Sequence, residues 1–143
     1  MIQALKSNTL PGNYSQKLHK RYQQAVPIGV YNSPPLYVQS AKGAMITDVD
    51  GNNFIDFAGG IGAMVAMELV TDRVTKEPAK ELTAQLIKEF WKNGLISIGA
   101  GIHDNVLRFL PPLVISNEEI DKGFEIINQA FEALCQNSKR SGE

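Results

Sequence analysis

Cysteine occurs once in these 143 residues, at Cys135, so no disulfide can close within the chain and packing has to hold the fold. That thiol follows Phe131 and Leu134 at helical spacing and has no base near it in sequence. It reads as a small packed or half-exposed side chain rather than a nucleophile. Histidine is scarce as well: His103 and Asp104 are adjacent, His19 lies in a polar stretch far upstream, and a metal centre needs more ligands than these. No window reaches the roughly 20 apolar residues of a membrane span, and the first eight residues lack an apolar core long enough for a signal peptide. A cytoplasmic location is the expectation. An excess of one charge is also missing, with 14 Lys and Arg against 15 Asp and Glu and a pI near 6.1. No basic stripe for nucleic acid and no polybasic patch for anionic lipid results, so neither is an expected partner. No internal repeat or low-complexity segment is visible.

What is present suits one soluble domain long enough to bury roughly two-thirds of its unfolded surface. The polar stretch from Tyr14 to Gln24 predicts a short surface helix, with Ser15 as N-cap and Pro27-Ile28-Gly29 as its stop. After the breaker Ser33-Pro34-Pro35, the runs Leu36 to Ser40, Ala44 to Asp48 and Asn53 to Phe57 are joined by links rich in glycine, aspartate and asparagine. They predict a three-stranded antiparallel meander. Ala63 to Val70 is short and apolar enough for a buried strand. Leu82, Leu86, Ile87 and Phe90 form the stripe of a helix that opens near Pro78 and stops at Asn93-Gly94. Leu95 to Ile98 and Val106 to Leu110 read as two further strands. A last helix opens at Ser116 or Asn117 with Glu118 and Glu119 in its first turn, and buries Ile120, Phe124, Ile127, Phe131 and Leu134. The polar tail from Gln136 to Glu143 is expected to fray. The fold class is therefore α+β: the meander, then a β-α-β-β-α segment, with helices on a mainly antiparallel sheet.

Arg108 is the first candidate for chemistry. In Asn105-Val106-Leu107-Arg108-Phe109 a permanently charged planar fork stands inside an apolar strand, a geometry suited to bidentate capture of a carboxylate. The alternative is an edge-strand arginine whose stem lies over the sheet. Ile61 follows Gly59-Gly60, where the backbone could approach a ligand, or where glycine simply permits a turn beside a packed isoleucine. His103 and Asp104 read as hairpin residues. Gly99-Ala100-Gly101 lacks the glycine spacing of a phosphate loop and does not run into a helix. Asp48, Asp50 and Asp56 lack the spacing of a calcium loop and read as turn and strand-end carboxylates.

Two blocks of sequence carry a resemblance. Gly29-Val30-Tyr31-Asn32-Ser33-Pro34-Pro35 and the run from Asp48 to Ile61 resemble the N-terminal portion of class III, pyridoxal-phosphate-dependent aminotransferases of the 4-aminobutyrate type. Gly62 to Val70 and Asn105 to Leu113 resemble the C-terminal portion of the same family. The resemblance implies that residues 1-60 are an arm plus meander, that 61-143 are a small-domain segment, and that the large cofactor-binding domain between them is missing. It gives Arg108 the family's role of binding the amino acid's α-carboxylate, and places Ile61 in the substrate pocket. The Schiff-base lysine, the acid on the pyridine nitrogen and the phosphate loop belong to the missing domain. No cofactor is therefore expected in this chain alone, no catalytic residue is assigned, and transamination by the isolated chain is not expected. An amino-acid or keto-acid carboxylate would be held weakly if at all. Two other readings stand beside this one: a self-associating or protein-binding module that uses the uncovered domain face, and an enzyme half that needs a large domain in trans. A homo-oligomer is the expected assembly.

Overall fold

The computed structural model describes residues 9–25, 35–59 and 64–140. The meander is present as β1 (Val38–Lys42), β2 (Met45–Asp48) and β3 (Asn53–Asp56), each antiparallel to the next. Gly43 and Gly51 take the positive φ values of 61° and 79° that its two turns require. Asp48 builds the second turn from inside: its buried carboxylate accepts from the N–H of Asp50 at 2.9 Å, the N–H of Asn52 at 2.8 Å and Asn52 Nδ2 at 2.9 Å. Before the meander, α1 (Asn13–Ala25) is capped by a residue far away in sequence. Asp50 accepts from the N–H groups of Tyr14 at 2.6 Å and Ser15 at 2.8 Å, while Ser15, the expected N-cap, is buried within the first turn. Asp50 can come this close because Gly12 has no side chain to meet it. The expected stop at Pro27-Ile28-Gly29 and the first two residues of the Ser33-Pro34-Pro35 breaker lie outside the described residues.

The downstream half contributes β4 (Val65–Glu68), α2 (Lys80–Lys92), β5 (Leu95–Ile96), β6 (Ile98–Ala100), β7 (Val106–Phe109) and α3 (Asn117–Arg140). The run read as one strand from Leu95 to Ile98 is divided at Ser97. β5 pairs in parallel with β3, and β6 pairs antiparallel with β7. Two sheets result, ordered β1-β2-β3-β5 and β4-β7-β6, antiparallel except for the β3–β5 pair. With helices packed on them, the architecture is α+β. The strand expected to be buried, β4, is exposed at all four positions; it lies at the edge of its sheet and, among the described residues, is bonded only to β7. Pro78 precedes α2 and bridges to Val70, and Gly94 ends that helix at φ 86°.

One cluster joins residues from both sides of position 60. Ile55 and Phe57 pack with Leu86, Phe90, Leu95, Leu107, Phe109, Ile126, Ile127 and Ala130. The Phe57 and Phe109 rings meet edge to face with centroids 6.2 Å apart, and Gly123 of α3 lies directly against the Phe57 ring. Backbone bonds run alongside: Ile55 N–H donates to Gly94 O at 2.8 Å, Phe57 N–H to Ile96 O at 3.0 Å, and Leu110 N–H to Phe57 O. α3 opens on reciprocal bonds, Glu119 N–H to Ser116 Oγ at 3.2 Å and Ser116 N–H to Glu119 Oε2 at 2.8 Å. Two expectations for this helix change. Phe124 is 56% exposed, since Gly123, Ile126, Ile127 and Ala130 take the packed face. The helix also continues past Gln136 to Arg140, because no glycine or proline stands before Gly142 to stop it.

Candidate functional site

Strand β7 is the middle strand of its sheet, and its alternation sets the site. Leu107 and Phe109 are buried in the core, while Val106 and Arg108 point to the other face. Arg108 is therefore not an edge-strand arginine. Its cross-strand neighbours are Ala66 on β4 and Ile98 on β6, neither of which can answer a charge. The side chain is half-buried, its Nε is buried without a hydrogen-bond partner, and no carboxylate among the described residues pairs with it. An unpaired buried donor on a guanidinium is costly, and a carboxylate ligand is the group that would satisfy it.

Asn105 holds this strand in register and was not singled out from sequence. Its buried side-chain amide donates from Nδ2 to Leu69 O at 3.0 Å and to Glu68 Oε1 at 3.2 Å, and its main-chain carbonyl accepts from Leu69 N–H at 2.8 Å. β4 is thereby pinned to β7 three residues before Arg108. The only sequence signal was a polar residue heading an apolar run.

The other candidates fall elsewhere. Ile61 lies outside the described residues, and exposed Gly59 donates its N–H to Asp56 Oδ1 at 3.1 Å. His103 is exposed in the β6–β7 hairpin beside Asp104, which takes φ 54° and accepts from Lys80 Nζ at 2.8 Å. That hydrogen bond and charge hold the Asp104 carboxyl below its ordinary range and raise the Lys80 ammonium above its own. Asp48 and Asp50 are turn and capping carboxylates, Asp56 is bonded to the N–H groups of Ala58 and Gly59, and no group of potential metal ligands exists among the described residues. Cys135 is exposed on α3.

A second feature sits on the core face of the same sheet. Phe57, Val65, Met67, Phe109, Ile120 and Phe124 line an entirely apolar hollow of about 260 Å³. Val65 and Phe124 are each more than half exposed at its rim.

The aminotransferase class-III family matches residues 59–131, a span that includes the whole of β4, α2, β5, β6 and β7. The chain belongs to that family. Over 98 residues it is 36% identical to a 4-aminobutyrate aminotransferase of Escherichia coli K12, covering 68% of this chain and 23% of that protein. A probable 4-aminobutyrate aminotransferase of Bacillus subtilis 168 is 40% identical over 80 residues, covering 56% of this chain and 18% of its own length. A 5-aminovalerate aminotransferase of Pseudomonas aeruginosa is 37% identical over 76 residues, 53% of this chain and 18% of its own. The class-III chain thus spans about a fifth of the length of these curated relatives.

Pyridoxal phosphate is the family's cofactor, and its attachment needs an amine that is neutral and shielded from water. The described lysine side chains, at 17, 20, 42, 76, 80, 88, 92 and 122, are all exposed. Lys80 is held further toward its charged form by Asp104. These residues do not fit the cofactor.

Proposed function

We propose that this class-III chain is an internally shortened aminotransferase of the 4-aminobutyrate type, keeping the strand that receives the substrate carboxylate and not catalysing transamination by itself. The observation that carries the reading is Arg108: a half-buried guanidinium in the middle of a sheet, with its Nε unpaired. Relatives named for 4-aminobutyrate and 5-aminovalerate act on molecules that bear such a carboxylate. Asn105 fixes the arginine's strand, Arg108 offers the two-pronged contact, and the resemblance assigns Ile61, by its place after Gly59-Gly60 in the sequence, to the same substrate site. The chemistry of amino-group transfer would have to come from a large domain, in the same polypeptide or in trans, in the cytoplasm.

Borohydride reduction after mixing the purified chain with pyridoxal phosphate, followed by peptide mass mapping, tests the catalytic half of this proposal. Exposed lysines should be labelled weakly and without selectivity. One lysine modified stoichiometrically, with a matching visible absorbance band, would overturn it.

The apolar hollow supports a second reading, in which this face, left uncovered by a large domain, joins a second copy of the chain.

A further inference from the structure

A groove remains that the proposed function does not use. It lies between α2 and β6, the edge strand of its sheet, and encloses about 470 Å³. That volume is suited to a small molecule. Its walls are Ala84 and Ile87 from the helix and Ile98 from the strand. Ser97, at the break between β5 and β6, lines it while only 4% exposed, with a buried hydroxyl that has no partner. At the mouth stand Lys80 and Asp104, joined at 2.8 Å, with side chains 66% and 68% exposed.

These parts make incompatible demands on a ligand of one charge. An anion would gain Lys80 and meet Asp104, and a cation would do the reverse. A molecule carrying both an ammonium and a carboxylate turns one exposed ion pair into two, leaving no charge unanswered. Its aliphatic part then covers Ala84, Ile87 and Ile98, and its polar end can supply the partner that Ser97 lacks. We propose that this groove binds a free aliphatic amino acid as a zwitterion, held through Lys80 and Asp104 rather than through Arg108.

The test is an amide NMR titration of the full chain with L-leucine, compared with 4-methylpentanoate and 3-methylbutylamine, which each keep the branched chain but lose one charge. L-leucine should shift the Ile87, Ser97, Gly99 and Asp104 amides saturably at millimolar concentration. Each single-charge analogue should bind about fivefold more weakly, the effect of losing one exposed ionic contact. The double variant Lys80→Gln/Asp104→Asn should weaken L-leucine to the same degree; asparagine tolerates the positive φ and both sites are exposed, so the fold is retained. No saturable shift with L-leucine would overturn the proposal. So would equal affinity for the three compounds, or unchanged affinity in the double variant.

Discussion

Arg108 shows how a single residue can carry a requirement that packing does not explain. Leu107 and Phe109 on either side are buried and belong to the core, whereas Arg108 brings a guanidinium to a half-buried place between Ala66 and Ile98. With Nε unpaired, the charge carries a desolvation cost that no described carboxylate repays. Arg108→Leu should then leave the urea midpoint unchanged or raise it. A structural partner would give the opposite sign, a loss on the order of 3 kcal/mol from stranding the other charge. Equilibrium urea unfolding of the variant and the parent chain distinguishes the two. The sequence disclosed this residue readily, because a charge in an apolar run stands out. It did not disclose that the strand is central, since order in a sheet depends on partners far along the chain.

At the scale of elements, what was legible followed periodicity and turn chemistry. The spacing of Leu86 and Phe90 gave the packed face of α2, Gly94 its end, and Gly43 and Gly51 the turns of the meander. What was missed depended on distant contacts. Leu95 to Ile98 reads as one strand because all its residues suit a strand, and only β3 and β7 divide it at Ser97. Phe124 continues the helical stripe, but the stripe turns past what covers it. The cap of α1 was invisible because Asp50 is 35 and 36 residues from the amides it holds. That cap makes α1 sensitive to acid. Partial burial pulls the Asp50 carboxyl upward, and hydrogen bonds from Ser15 and Tyr14 outweigh it, leaving the group below its ordinary value. Its contribution is therefore fully present above the unfolded carboxyl value near pH ~3.9 and fades as pH falls through the lower folded value. Amide exchange at Tyr14 and Ser15 should accelerate across that window, ahead of exchange in α2. Asp50→Ala should remove the pH dependence and cost about 1 kcal/mol at neutral pH, as lost caps do. A pH response retained in Asp50→Ala would show that another group is responsible.

For the molecule as a whole, the feature to account for is an apolar hollow at the surface beside a well-packed core. Phe57 and Phe109 form its floor and also belong to the core cluster, so the hollow cannot close without disturbing that cluster. Exposed apolar surface of this kind favours association, most simply as a symmetric dimer. Light scattering should give a mass above the 15.7 kDa of one chain at high concentration, and Phe124→Glu, placing a charge at the rim, should return it to that value. A parent chain that stays monomeric would rule out this assembly.

The bonds that join β3 to β5 and Phe57 to Leu110 have a consequence for how the halves depend on each other. They cross between residues up to 59 and residues from 64 onward through space, and none requires the intervening peptide bonds to be intact. The chain should thus behave as a complementing pair. Residues 1–59 and 64–143 produced as separate polypeptides in one cell should copurify as a one-to-one complex, with the parallel strand pair as the joint between them. Covalent linkage would then set the effective concentration of the halves, while the shape of their contact is written into each.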